Sequence, residues 1–215
     1  MPQSLSELSP ASTRILFVRH GQIQANVDKR WHGWTDSSLT STGQQQASRA
    51  GKHLKRRHPK IAAIYASPLE RTRHTAQAIG DALSLDIQIA EGLKEYGIGE
   101  WEGVRFEELR DQHKFFDRLK QDPNFAPKDG ESMNDVSSRA LDSVTTLAKK
   151  HRGETIVAVS HGAAMALILA NLLHQDPYEW GRYFFENTGI TELHVGDKTT
   201  LIDFNDTSHL DDLQI

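Results

Sequence analysis

Four short stretches carry residues whose types could do chemistry together. The first is Arg19-His20-Gly21, and the second is Ser160-His161-Gly162. The third is Arg71, within Ser67-Pro68-Leu69-Glu70-Arg71, and the fourth is Glu95, within Leu93-Lys94-Glu95. Two guanidiniums, together with free amides at helix N-termini, suit a phosphoryl group. One imidazole can attack phosphorus, a second can stabilise the equatorial oxygens, and a carboxyl group can protonate the departing oxygen. Taken singly, each residue has a plainer reading. Arg71 could be a surface arginine paired with Glu70 or Glu91, and Glu95 a solvated loop carboxylate.

The elements that must position these residues follow from hydrophobic pattern. Ile15-Leu16-Phe17-Val18 and Ile156-Val157-Ala158-Val159 are unbroken apolar runs, as expected of strands buried on both faces. Both stop at His-Gly. Open α/β sheets place functional groups at the carboxyl ends of their strands, so the pairing implies two imidazoles facing one pocket. Further strands are expected at Ile61–Ala66, Asp86–Ala90, Thr191–Val195 and Thr199–Asp203, with Gly196-Asp197 turning the last pair.

Helices alternate with these strands. One starts near Leu39-Thr40-Ser41-Thr42-Gly43, capped by Thr40 or Thr42, and ends before Pro59. Ser67-Pro68 reads as a cap followed by proline at the first helical position, and Gly80 as that helix's stop. A helix is expected from about Phe106 to Lys120. Another runs over Glu131–His151, where Met133, Val136, Ala140, Val144 and Leu147 share a face. Gly162–Leu173 is the last. Such alternation specifies an α/β fold: a three-layer α/β/α sandwich with a mostly parallel central sheet, carrying a small lid segment at about 97–130. Met1–Thr13 reads as a loose tail, and 14–215 as a single α/β domain.

Bulk properties remove several function classes. The 215 residues suffice for one α/β core. A formal charge of −4 gives no support for non-specific nucleic-acid binding. The absence of Cys excludes disulfides, thiol nucleophiles and zinc–thiolate sites. Met1–Thr13 lacks the basic start and apolar stretch of a signal peptide, and no run approaches membrane-spanning length. A cytoplasmic protein with no membrane partner is expected. The 11 histidines include no His-Glu-x-x-His helix, and His53 and His58 do not share a helical face, so no metal and no cofactor is expected. Gly97-Ile98-Gly99 lacks a leading strand and the spacing of a dinucleotide loop.

In order along the chain, these motifs resemble the histidine phosphatase superfamily, the phosphoglycerate-mutase-like proteins. The resemblance covers roughly Arg14 to Val195. It is carried by Arg19-His20-Gly21 with Asn26, Leu39-Thr40 through Gly43 to Gln46-Ala47, and Ser67-Pro68-Leu69 with Arg71 and Thr75-Ala76. Glu95 with Gly99-Glu100-Trp101-Glu102-Gly103, Gly130-Glu131-Ser132 and Ser160-His161-Gly162 complete it. The resemblance implies that His20 is the nucleophile, forming a phosphohistidine. Arg19, Arg71 and His161 would bind phosphoryl oxygens, with Asn26 as a neutral contributor. Glu95 would be the acid in the first step and would activate water in the second. Gly21 and Gly162 would allow close backbone approach to the phosphate.

Two departures, Gln22 in place of the usual Glu or Ser and Ala25 in place of an aromatic residue, flank the pocket mouth. They bear on substrate identity rather than on phosphoryl chemistry. The implied activity is metal-independent hydrolysis of a small phosphorylated substrate. Phosphoryl transfer by a mutase and non-catalytic binding of a phosphorylated ligand are the alternatives. Glu95 argues against the latter, because an anion trap gains nothing from a carboxylate.

Overall fold

The computed structural model describes residues 11–211 and 213. Most of Met1–Thr13, and the last residues of the 14–215 span, fall outside them. Strand β1 (Thr13–Arg19) is followed by a short helix α1 (Gln24–Val27) and by α2 (Ser41–Arg57). Then come β2 (Ile61–Ala66), α3 (Glu70–Leu83) and β3 (Ile87–Ile89). Helices α4 (Phe106–Asp111) and α5 (Phe115–Gln121) precede α6 (Met133–Lys150). Strand β4 (Thr155–Ser160), α7 (Gly162–His174), β5 (Ile190–Val195) and β6 (Thr200–Asp206) complete the order.

The six strands form one sheet in the order β3-β2-β4-β1-β5-β6. The four on the β3 side are mutually parallel, and β5 and β6 add antiparallel pairings. Side-chain alternation explains the layers. Ile15 and Phe17 of β1, with Ile156 and Ala158 of β4, pack under α6 and α7 through Ala140, Val144, Met165 and Leu169. Leu16 and Val18, with Val157 and Val159, face α2 and α3 through Leu54, Ala76 and Ile79. The unbroken apolar runs are therefore two interleaved core faces. A third cluster joins the lid segment to α6 and α7: Trp31, Tyr96, Ile98, Trp101, Leu109 and Phe115 pack with Val136 and Leu167.

Several local expectations are corrected. Thr13 belongs to β1 rather than the tail; it is buried, and its hydroxyl donates to the Ala148 carbonyl at 2.6 Å. The helix expected at Phe106–Lys120 is two, because the chain turns between them with Lys114 in the left-handed region at φ 50°. Ser67 is not the cap of α3. The cap is Leu69, and the helix runs through Gly80 to Leu83, stopping at left-handed Ser84. At α2 the cap is Thr40, whose hydroxyl accepts from the Gly43 amide.

Candidate active site

Strands β1 and β4 run parallel with Arg19 opposite Ser160, so residues 20 and 161 leave the sheet side by side. The His20 and His161 rings are 5.3 Å apart, centroid to centroid. Strand β2, also parallel to β4, delivers Ser67 to the same edge, where its amide donates to the Val159 carbonyl at 3.1 Å.

His20 is 3% exposed, and its Nδ1 lies 2.8 Å from the Gly21 carbonyl. A carbonyl only accepts, so Nδ1 carries the proton and Nε2 keeps its lone pair. Nε2 has no protein hydrogen bond among the described residues. Burial above all, then the charges of Arg71 and Arg19, hold His20 well below the ordinary imidazole range. The ring is neutral at neutral pH.

His161 is fully buried and held at both nitrogens. Nδ1 accepts from Arg71 Nε at 3.2 Å, and Nε2 lies 2.8 Å from the Ser67 hydroxyl. Because the guanidinium only donates, the proton of neutral His161 sits on Nε2. Burial, then Arg71 and His20, push this imidazole well below its ordinary range.

Arg71 is wholly buried rather than paired at the surface. Beyond His161 it donates to the carbonyls of Thr35 at 3.0 Å, His32 at 3.1 Å and Gly33 at 2.7 Å. Glu102 takes the amides of that loop from the other side, accepting from Gly33, Trp34 and Thr35. The segment is thus clamped by a cation on its carbonyls and an anion on its amides. Burial lowers the Arg71 pKa to about 10, leaving it charged at neutral pH.

Arg19 donates from Nη1 to the Phe185 carbonyl, while its buried Nε has no acceptor. A buried donor without a partner costs free energy unless a ligand supplies the acceptor.

Glu95 sits across the N-terminus of α7. Its carboxylate accepts from the amides of Ala164 at 2.9 Å, Ala163 at 3.2 Å and Tyr96 at 2.8 Å. Those α7 amides are therefore engaged, not free for an anion as the sequence had implied. Asn26 Oδ1 accepts from the Ile23 amide and from Asn187 Nδ2.

The two glycines differ. A Cβ on Gly21 would lie 2.5 Å from the Gly43 carbonyl oxygen, so its small size serves packing on α2. A Cβ on Gly162 would meet nothing nearer than Arg19 Nε at 3.6 Å, which leaves that face open.

A cavity of about 380 Å³ lies over this edge, within the range of small-molecule sites. Arg19, His20, Asn26, Glu95 and Gly162 line it. Gly21, Arg71 and His161 are adjoining residues that do not line it. Aromatic residues form much of the remaining lining. Among the described residues, no group of three or more His, Cys, Asp or Glu could hold a metal ion, and no helix is long and apolar enough to cross a membrane.

The model of the histidine phosphatase superfamily (branch 1) matches residues 15–207. The chain belongs to that superfamily. It is similar to a phosphoserine phosphatase from Entamoeba histolytica solved with 3-phosphoglyceric acid: 33% identity, 92% of this chain and 99% of that one covered, TM-score 0.81. It is 31% identical over 206 residues to a probable phosphoglycerate mutase of Enterobacter sp., covering 92% of this chain and 95% of the relative. A bifunctional protein of Mycobacterium tuberculosis is 34% identical over 158 residues, 73% of this chain. The match spans only 43% of that relative's length. Within the superfamily, then, this chain has relatives named as phosphatases and as mutases.

In this histidine phosphatase superfamily member, further residues that sequence reading missed hold the candidate site in place. Thr75 accepts from the Gly21 amide at 3.0 Å. Asn187 donates to the His20 carbonyl at 3.0 Å. Arg139 pairs with Glu131 and donates to the carbonyls of Gly92, Lys94 and Glu95, fixing the segment that carries the carboxylate. Thr75 and Glu131 lay inside the quoted motifs but had no assigned task, and Ser67 was read only as a helix cap. Asn187 and Arg139 carried no sequence signal.

Proposed function

We propose that the chain is a metal-independent phosphomonoesterase acting through a phosphohistidine on His20. One observation carries this reading: an imidazole with an uncommitted Nε2 lone pair shares a cavity with Arg19, whose buried Nε lacks an acceptor. A phosphoryl oxygen supplies that acceptor and brings phosphorus to the nucleophile.

In the first step His20 Nε2 bonds to phosphorus as the ester P–O bond breaks. The departing oxygen takes a proton from Glu95. In the second, water attacks the phosphohistidine and gives a proton to the Glu95 carboxylate. The P–N bond breaks, its electron pair returns to Nε2, and inorganic phosphate leaves. Arg19 and the Nε2–H of His161, turned from Ser67, stabilise the equatorial oxygens. Arg71 acts through charge and through its grip on His161. The mouth supports hydrolysis over transfer: Phe184 is 71% exposed and Tyr178 43%, and the lid helices are only 6 and 7 residues long. Water therefore reaches the intermediate.

Transfer to a second hydroxyl is the other reading, favoured by the mutase relative. The experiment supplies 3-phosphoglycerate with trace bisphosphoglycerate, with and without EDTA, and follows both products. Inorganic phosphate should accumulate faster than isomerised phosphoglycerate, unaffected by chelation. Dominant isomerisation, or loss of activity restored by one metal, would overturn the assignment.

A further inference from the structure

We propose that the alcohol side of the preferred substrate is a bulky apolar or aromatic group rather than a small acid. This deepens the phosphomonoesterase reading and rests on it. The cavity beyond His20 and Arg19 has a continuous aromatic wall. The Trp31 ring is 5.4 Å from Phe106 and 6.5 Å from Phe116, and Phe116 is 6.2 Å from Trp180.

Two polar tips in this lining, those of Trp31 and Tyr183, are engaged by the protein. The Trp31 indole N–H donates to the Tyr96 carbonyl at 3.2 Å, and the Tyr183 hydroxyl is 2.7 Å from His174 Nε2. What those two rings present to the cavity is carbon. The polar groups away from the phosphoryl end are partly engaged by the protein. Arg30 Nη1 donates to the Gly103 carbonyl at 2.7 Å, and His32 Nδ1 lies 2.8 Å from the Ser37 hydroxyl. Lys120 is the remaining cation of the lining and is exposed, where salt screens it.

A carboxylate placed against the aromatic wall would exchange water for ring faces, an unfavourable transfer. A phenyl or long alkyl group there buries its own surface and that of the wall. Selectivity thus comes from the leaving-group side, while the phosphoryl end treats all monoesters alike.

The test uses benzyl and ethyl phosphate, whose leaving alcohols are of similar acidity, together with phosphoserine. Specificity constants for phosphate release are measured on the full chain. Dissociation constants of the matching non-hydrolysable phosphonates are measured in parallel. Benzyl should exceed ethyl and phosphoserine by roughly 10-fold or more in both, in line with the discrimination of apolar pockets. Truncating the two exposed rings together, Tyr178→Ala with Phe184→Ala, should shrink the benzyl-to-ethyl ratio; their exposure means that no core cavity is left.

Phosphate release without benzyl preference would overturn the proposed substrate class and leave the phosphatase reading standing. Benzylphosphonate preference without phosphate release from any ester would overturn the phosphatase reading and leave the binding preference. Absence of both overturns both.

Discussion

Replacing Arg71 with alanine tests whether one buried guanidinium holds the site together. Four acceptors depend on it: the carbonyls of His32, Gly33 and Thr35, and His161 Nδ1. Buried groups left unsatisfied cost about 1–3 kcal/mol each, less what water recovers in the vacated space. Removing the buried charge returns part of its desolvation cost. The net loss should be about 3–5 kcal/mol of folding stability, or roughly 6–20 °C in Tm for a chain of this size. Urea titration measures it as a fall in midpoint at unchanged slope. Arg110→Ala is the control, since that side chain is exposed and pairs with adjacent Asp111; it should not move the midpoint. Turnover of the folded fraction of Arg71→Ala should fall on the order of 10²–10³-fold, because His161 loses the donor that fixes its proton on Nε2. Arg71→Lys keeps the charge but cannot span four acceptors, and should lie between. A loss below about 1 kcal/mol for Arg71→Ala would refute the four-acceptor account.

Two further outcomes follow from the geometry. Glu95→Gln should slow phosphoenzyme formation far more for an alkyl phosphate than for nitrophenyl phosphate, whose leaving group departs without a proton; equal losses would remove Glu95 as the acid. Acid should destabilise the fold through the histidines beside Glu192 and Asp206, where burial lowers His58 and His209 to about 4. In the unfolded chain these rings protonate near the ordinary imidazole value of 6.5 while the folded chain keeps them neutral, so stability is present above pH 6.5 and lost as pH falls toward 4. The loss should be about 1–2 kcal/mol per ring after allowing for solvent access. His58→Gln combined with His209→Gln should flatten the urea midpoint between pH 7 and pH 5, and an unchanged slope would contradict this origin.

The sheet edge was legible because each central strand is an unbroken apolar run ending in His-Gly, and parallel pairing then forces the two rings together. The alternation of helices with strands gave the layers for the same reason. What the sequence withheld depends on contacts distant along the chain. Ser67 looks like a helix cap until β2 sets it against His161, 94 residues on. Arg71 looks like a surface arginine until the 32–35 loop folds over it. Arg139 shows no local sign of gripping the segment around Glu95, because its acceptors there are main-chain carbonyls. The lid's division into α4 and α5 rests on one left-handed residue, Lys114, which is neither Gly nor Asn. Engagement of the α7 amides by Glu95 was hidden for a like reason: the carboxylate arrives from 68 residues upstream.

The central claim is that His20 Nε2 accepts the phosphoryl group. Rapid acid-free quenching of the chain mixed with nitrophenyl phosphate, followed by mass mapping of the phosphorylated peptide, tests it directly. A phosphoryl group that is labile to acid, stable to alkali and located on His20 should form within the first turnover, and His20→Ala should lose both label and turnover while keeping the wild-type urea transition. Phosphoryl label on another residue, or near-normal phosphate release from a folded His20→Ala, would contradict the account.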